Sequence, residues 1–191
     1  MTPVKICGLD EAGRGCLAGP LVAAAVVPTI RVRAEDSKKL NAAQRNKIYR
    51  RLIKTGAEIV VESVSAAQIN NRGMGWANKE VFRRLIRKIE ADKYIVDGNL
   101  NLGRIMRKTD KVMSMVDADE KIVEVSMASI AAKVTRDKMM RELDREHPKY
   151  GWKVNKGYGT ARHIAAIRKY GAVRYHRSVF VTTALKDKVA I

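Results

Sequence analysis

The sequence has few cysteines and few aromatic residues, and its acidic residues are far outnumbered by basic ones. Its two cysteines, Cys7 and Cys16, are too few for the disulfide framework of a secreted domain, and a zinc site needs more ligands at tighter spacing. We therefore expect free thiols and a cytoplasmic protein. No apolar run is long enough to span a bilayer, and residues 1–5 do not resemble a signal peptide, so no membrane contact is expected.

The shortage of acidic residues leaves a large positive charge. Lys and Arg number 38 against 20 Asp and Glu, which gives a net charge of +18 at pH 7. This excess favours a polyanionic partner, with nucleic acid the first candidate and an acidic membrane surface the second. A generally basic enzyme is the alternative that net charge alone does not exclude.

Hydrophobic periodicity predicts an α/β fold with a mixed sheet. Strands are expected over residues 4–10, 20–27, 57–64, 94–96 and 111–116, and helices over about 42–54, 76–90, 121–146 and 160–170. The second strand is apolar throughout, so we expect it to be covered on both faces, and the short loop before it predicts an antiparallel pair. His147 and Pro148 break the long helix, which predicts a core over 1–147 and an extension over 148–191 packed on it.

Several of the acidic residues stand where strands end. Asp10 and Glu11 follow the first apolar run, and Asp97 follows the fourth. Neighbouring residues on a regular strand point to opposite faces, so Asp10 and Glu11 serve one site only if the strand ends between them, which Gly13 and Gly15 permit. Ligands of α/β sheets usually lie at the carboxyl ends of the strands. The carboxylates therefore converge if the first and fourth strands are parallel neighbours.

Each acidic group also has a structural interpretation. Asp10-Glu11 and Asp97 are compatible with ordinary turns, and the cluster Asp117-Ala118-Asp119-Glu120 is compatible with capping of the long helix. Three or four carboxylates without a nearby histidine nevertheless fit two divalent ions that activate water and stabilise the leaving oxygen of a phosphodiester. The histidines all stand late in the chain, and we expect them at the surface or at helix ends: His147, His163 and His176.

Five blocks of sequence, taken together and in order, resemble ribonuclease HII. The blocks are Asp10-Glu11-Ala12-Gly13-Arg14-Gly15, Asp36-Ser37-Lys38-Lys39-Leu40, Val96-Asp97-Gly98-Asn99, residues 128–137, and Gly157-Tyr158-Gly159-Thr160 with His163. The resemblance implies a ribonuclease H-like fold, a five-stranded mixed sheet flanked by helices with a C-terminal helical extension. It also implies an endonuclease that hydrolyses the RNA strand of RNA/DNA hybrids. Such an enzyme cuts 5′ of ribonucleotides embedded in duplex DNA and leaves 5′-phosphate and 3′-hydroxyl ends.

The resemblance assigns the metal site and the substrate contacts by position. Two Mg²⁺ or Mn²⁺ ions are expected on Asp10, Glu11, Asp97 and Asp119. Asp119 is preferred to Asp117 because the family's fourth acid stands seven residues before a serine that corresponds to Ser126. The family usually has a glycine immediately before that acid, and here the residue is Ala118. The implied substrate contacts are Gly13, Arg14 and Gly15 at the ribose 2′-hydroxyl and adjacent phosphate, Tyr158 at the following deoxyribose, and Lys38, Lys39 and Lys133 at phosphates.

The implied partners are RNA/DNA hybrid and DNA containing ribonucleotides, and a monomer is expected. The family sometimes binds a sliding clamp through its tail, but residues 186–191 do not clearly match such a tail. Two alternatives stay open at this point. One is a basic nucleic-acid-binding protein without catalysis, whose acids cap helices. The other is a nuclease of the same fold that acts on DNA or structured RNA.

Overall fold

The computed structural model describes residues 3–29, 40–102 and 106–186. Within these ranges the strands are β1 (Ile6–Ala12), β2 (Leu21–Val27), β3 (Glu58–Val64), β4 (Lys93–Asp97) and β5 (Val112–Met115). The helices are α1 (Ala42–Lys54), α2 (Ala66–Arg72), α3 (Met74–Lys88), α4 (Ala118–Lys121), α5 (Val123–Glu146), α6 (Trp152–Asn155), α7 (Ala161–Tyr170) and α8 (Ser178–Lys186). Lys38 and Lys39 lie outside the described residues.

The strands form one mixed sheet in the order β3-β2-β1-β4-β5. β1 is antiparallel to β2 and parallel to β4, and β4 is parallel to β5. All seven residues of β2 are buried, as the uniformly apolar sequence predicted. The predicted α/β class and the parallel pairing of the first and fourth strands are therefore confirmed.

The predicted end of the first strand is wrong. β1 does not stop between Asp10 and Glu11, because its antiparallel ladder with β2 continues to the pair Ala12 and Val22. The chain leaves the strand only at Gly13, whose φ of +93° lies in the left-handed region. Pairing with a distant strand decides this boundary, and the local sequence does not record it.

Helix boundaries follow the sequence where capping residues mark them. α1 has the predicted range of 42–54, and the side chains of Asn41 and Gln44 form a capping box at its start. The predicted long helix over 121–146 is confirmed as α5, and a short helix, α4, precedes it and ends at Ile122, which is extended. α2 was not predicted, although Ser65 and Gln68 form a capping box at its start.

α5 approaches the sheet closely. A Cβ placed on Gly8 of β1 would lie 2.1 Å from the carbonyl carbon of Glu124. The strand and the start of the helix are therefore in contact at a position that only glycine can occupy. Farther along, small α5 residues pack into a buried cluster with residues of β2 and α1: Ala24, Val26, Leu52, Met127, Ala128, Ala131 and Ala132. The small side chains of Ala128, Ala131 and Ala132 therefore let the helix pack close to β2.

The chain divides into two compact units of interleaved segments. The first comprises residues 1–12, 22–63 and 79–134, and the second comprises 13–21, 64–78 and 135–191. The second unit has its own core, built on Met140, Tyr150, Trp152 and Ile167. The division at residue 147 stays a prediction. In the part of the chain that the structure describes, no helix is both long enough and apolar enough to cross a membrane.

Candidate active site

The first unit holds the four predicted metal ligands. Asp10 and Glu11 are consecutive residues of β1, and Asp97 is the last residue of β4. Because the parallel register pairs Leu9 with Val96, the next residues, Asp10 and Asp97, occupy adjacent strand positions. Asp10 is almost fully buried, at 6% exposure. The sheet thus places two carboxylates side by side, one of them shielded from water.

The neighbouring carboxylates change the pKa of Asp10. Burial, together with the charges of Glu11 and Asp97, raises the pKa of its carboxyl to about 8. A hydrogen bond from the Ser129 hydroxyl opposes it, as does the Glu11 N–H, 2.6 Å from Asp10 Oδ1. A bound cation would remove the repulsion between these carboxylates, so the local charge distribution suits a metal ion. Ser129 was not assigned a role from the sequence.

Asp97 connects the sheet to α4. Its Oδ1 accepts hydrogen bonds from the backbone N–H groups of Ala118, at 2.8 Å, and Asp119, at 3.4 Å. Asp117 adopts a left-handed conformation with a φ of 55° and makes no capping hydrogen bond through its side chain. The capping interpretation therefore applies to Asp97 and not to Asp117. Asp119 lies buried in the first turn of α4, beside the Asp97 carboxylate.

Two substitutions at Asp97 separate its structural role from its chemical one. Asp97→Ala removes the acceptor for both N–H groups and is expected to lower the free energy of unfolding by about 1–2 kcal/mol. Asp97→Asn keeps an acceptor oxygen and should cost less than about 0.5 kcal/mol, yet both variants should lose cleavage. Urea denaturation and cleavage assays on the pair test this. Equal destabilisation by alanine and asparagine would contradict the capping role.

The donor set fits a hard divalent cation, since it consists of carboxylate oxygens. Among the described residues, however, no three His, Cys, Asp or Glu side chains are already arranged as a metal site. The four residues instead interact in pairs. The charges of Glu11 and Asp97 each raise the pKa of Asp10, and the backbone N–H of Asp119 donates to the Asp97 carboxylate. The condition expected for Asp10 and Glu11 to serve one site, an end of the strand between them, is not met. The convergence of the four carboxylates on metal ions stays a prediction.

The second unit holds the Gly13-Arg14-Gly15 turn. Arg14 and Gly15 are exposed, whereas two fully buried arginines lie within the same unit. Arg136 donates to the carbonyls of Pro20 (3.0 Å), Lys156 (2.9 Å) and Ala18 (3.2 Å). Backbone carbonyls thus hold this guanidinium.

Arg177 is the second buried arginine. Its guanidinium donates to the carbonyl of Arg14 at 2.9 Å and twice to that of Gly19, at 3.0 and 2.9 Å. The sequence analysis assigned no role to Arg136 or Arg177. A lone arginine has no sequence signal that it will bond to backbone groups more than a hundred residues away.

Tyr158 is 44% exposed, in a loop joined to the residues that follow the Gly13-Arg14-Gly15 turn. The N–H groups of Leu17 and Ala18 donate to the Gly157 carbonyl at 2.8 and 3.2 Å. Burial raises the pKa of the Tyr158 hydroxyl, and the neighbouring Cys16 thiol adds to the rise. The tyrosine therefore has a sheltered hydroxyl and substantial exposed surface.

The histidines were expected at the surface or at helix ends. His163 stands in the first turn of α7, as expected, but it is buried, and the expectation is wrong for His176. His163 and His176 are buried, and their Nε2 atoms lie 3.2 Å apart. The Trp152 indole N–H donates to His163 Nε2 at 3.0 Å, and His163 Nδ1 lies 2.9 Å from the Tyr158 carbonyl. Burial lowers the pKa of both rings, that of His176 to about 4. We therefore assign both as neutral, with His163 donating to the Tyr158 backbone.

Lys133 is half-buried on α5, one helical turn after Ser129 and on the same face. Ser129 in turn bonds to Asp10, so this lysine projects from the side of α5 that faces the carboxylates of the first unit.

The predicted free thiols are confirmed, because Cys7 and Cys16 are both buried and unbridged.

Comparisons with known proteins agree with this fold. A family model described as Ribonuclease HII matches residues 7–183. A ribonuclease HII from Campylobacter concisus is 40% identical over 187 residues, covering 97% of this chain and 96% of the relative. The structure of ribonuclease H2 from Pyrococcus horikoshii OT3 is 26% identical, with a TM-score of 0.79 and coverage of 98% and 100%. Ribonuclease HII of Archaeoglobus fulgidus, solved in complex with PCNA, is also 26% identical, with a TM-score of 0.79 and coverage of 91% and 94%. The predicted ribonuclease H-like fold is confirmed.

Proposed function

Because the chain belongs to the ribonuclease HII family and is a hydrolase of the ribonuclease H type, we propose that it cuts DNA duplexes 5′ of embedded ribonucleotides as well as the RNA strand of hybrids. The products would carry 5′-phosphate and 3′-hydroxyl ends. The observation that supports the proposal is the buried Asp10 carboxyl, which lies near enough to Glu11 and Asp97 for both charges to raise its pKa. The cellular roles would be removal of ribonucleotides from DNA and of RNA primers.

Ribonucleases H generally use divalent metal ions, and we propose two Mg²⁺ or Mn²⁺ ions held by Asp10, Glu11, Asp97 and Asp119. When bound, such ions activate water and stabilise the leaving oxygen of the phosphodiester. The protein's own contribution is to hold the carboxylates in place. Ser129 fixes the Asp10 carboxyl, and the Asp97 contact with α4 fixes Asp119. A bound cation would also favour the charged form of these buried carboxylates over the protonated form.

Substrate recognition would use the second unit. Only the 2′-hydroxyl distinguishes RNA from DNA at one nucleotide, and glycines let a backbone come close to it. We therefore propose that Gly13, Arg14 and Gly15 contact the ribose and its phosphate, and that exposed Tyr158 packs on the following deoxyribose. Lys38, Lys39 and Lys133 would contact phosphates. The net charge of +18 supports binding to nucleic acid by a monomer.

A labelled DNA duplex with one embedded ribonucleotide tests the proposal. We expect a single cut immediately 5′ of that ribonucleotide with Mg²⁺ or Mn²⁺, and none with chelator or on an all-DNA duplex. Cutting only within a long RNA/DNA hybrid would withdraw the roles given to Tyr158 and the Gly13-Arg14-Gly15 turn. Tight binding without any cutting would favour the non-catalytic binding protein.

A further inference from the structure

Arg177 controls the orientation of one particular peptide group. Its side chain is fully buried, and Nη1 donates to the Arg14 carbonyl at 2.9 Å. Nε and Nη2 both donate to the Gly19 carbonyl, so the guanidinium joins the carbonyls of Arg14 and Gly19. A buried fork with fixed partners permits little rotation of the bonded carbonyl. The Arg14 carbonyl therefore points inward, toward the guanidinium.

The geometry of a peptide bond then fixes the neighbouring N–H. The peptide bonds of the described chain are trans, so the Gly15 N–H points opposite to the Arg14 carbonyl. That direction leads away from the buried guanidinium. Gly15 is exposed, and a Cβ built on it would meet no atom within 4 Å. The N–H thus belongs to an open stretch of backbone.

We propose that Arg177 is a positioning residue, which turns the Arg14–Gly15 peptide so that the Gly15 N–H donates a hydrogen bond to an oxygen of the bound ribonucleotide. The acceptor is the 2′-hydroxyl or the adjacent phosphate, which share this chemistry. The inference rests on the proposed function, since it concerns the same turn. Arg177 touches no substrate and acts only through the backbone of Arg14 and Gly15.

The charge of Arg177 supports this role. Burial, together with the nearby Arg136 cation, lowers the pKa of its guanidinium to about 10, and the group is still charged at neutral pH. Two buried cations in the unit that carries exposed Arg14 and Gly15 raise the local positive potential, which favours an anionic ligand. Lysine would keep the charge but not the fork that holds two carbonyls.

Arg177→Lys and Arg177→Ala test the assignment. An Asp10→Asn background prevents cleavage, so binding to a duplex with one ribonucleotide and to the matched all-DNA duplex can be measured with Mg²⁺ present. We expect Arg177→Lys to weaken binding about 10-fold or more. Adding millimolar guanidinium chloride to Arg177→Ala should restore most of the loss, because the free ion can refill the site. Ile167→Ala, a cavity variant in the core of the same unit, is the control for destabilisation alone.

The pattern of loss identifies the acceptor. A fall in the ratio of ribonucleotide to all-DNA binding assigns the 2′-hydroxyl, whereas an equal fall for both duplexes, restored by guanidinium, assigns the phosphate. If the Arg177 variants behave like Ile167→Ala, or guanidinium restores nothing, the inference is wrong.

Wild-type protein gives a second, independent reading. With ¹⁵N-labelled glycine, the Gly15 amide signal should shift when the ribonucleotide duplex is added. An unchanged signal would also overturn the inference. If wild-type protein cuts normally but the Gly15 amide signal or the Arg177 variants give the negative result, only the role of Arg177 is refuted. If wild-type protein does not cut, the proposed function is refuted.

Discussion

Replacing Asp10 with asparagine should lower the rate of phosphodiester cleavage by about a thousandfold or more, equivalent to about 4 kcal/mol in the activation barrier. Asparagine has nearly the same shape and keeps an oxygen that can accept the Glu11 N–H and the Ser129 hydroxyl. It lacks the negative charge that a hard cation requires from its ligand. The variant should therefore fold and bind duplex while losing metal-dependent turnover.

The same substitution should stabilise the metal-free protein at neutral and alkaline pH. In the folded protein burial, together with Glu11 and Asp97, raises the pKa of Asp10 from 3.8 to about 8. A raised folded-state pKa means that stability is fully present below about pH 4 and is lost as the pH rises through 8. Asparagine does not titrate and escapes this loss. We expect its advantage in free energy of unfolding to grow from near zero at pH 4 to about 5 kcal/mol at pH 8.

Chelator-treated samples across this pH range measure the difference by urea denaturation. Asp110→Asn makes the same change of charge at an exposed position and should show no such pH dependence. Adding Mg²⁺ should stabilise wild type and not Asp10→Asn, since only wild type gains a ligand for the ion. Cleavage by Asp10→Asn at the wild-type rate would remove Asp10 from the site. Lower stability of Asp10→Asn at pH 8 would show that the carboxylate is not under electrostatic strain.

Much of the fold could be predicted because its signals are local. β2 is apolar throughout, and α1 begins at a capping box, so both were placed within a residue or two. The end of β1 was misplaced because a long-range ladder with β2 carries the strand past Asp10 and Glu11. The short helix α4 was also missed, since its residues were interpreted as an acidic cluster at the start of the long helix.

The candidate site divides in the same way. Carboxylates at strand ends and glycines in a turn are visible as residue types, so Asp10, Asp97 and Gly13 could be selected from the sequence. The groups that position them were not visible. Arg177 contacts carbonyls 158 and 163 residues away, and His163 is buried against Trp152 and His176. Backbone carbonyls carry no sequence signature, so contacts to them appear only once the chain is folded.

Gly13→Ala should disrupt the turn more severely than its backbone angle alone would predict. Gly13 has a φ of +93°, which an alanine adopts only with strain. Its new Cβ would also lie 1.9 Å from Nε of Arg136. A flexible exposed arginine would move aside, but Arg136 is fully buried and bonded to three carbonyls. Relief of the clash must therefore break one of those bonds or displace the turn.

Gly171→Ala provides the matched control, because Gly171 also has a positive φ, of 75°, and its Cβ would meet no atom within 4 Å. We expect the control to cost about 1–3 kcal/mol in free energy of unfolding, the strain of the backbone alone. Gly13→Ala should cost about 2 kcal/mol more, and it should lower cleavage at an embedded ribonucleotide at least about 100-fold while the control cleaves normally. Denaturation midpoints and cleavage rates of the two variants decide the matter. Equal destabilisation would mean that the Arg136 side chain moves away from the added methyl group at little cost. The conformation of the turn would then be determined by the backbone of Gly13 and not by the buried guanidinium.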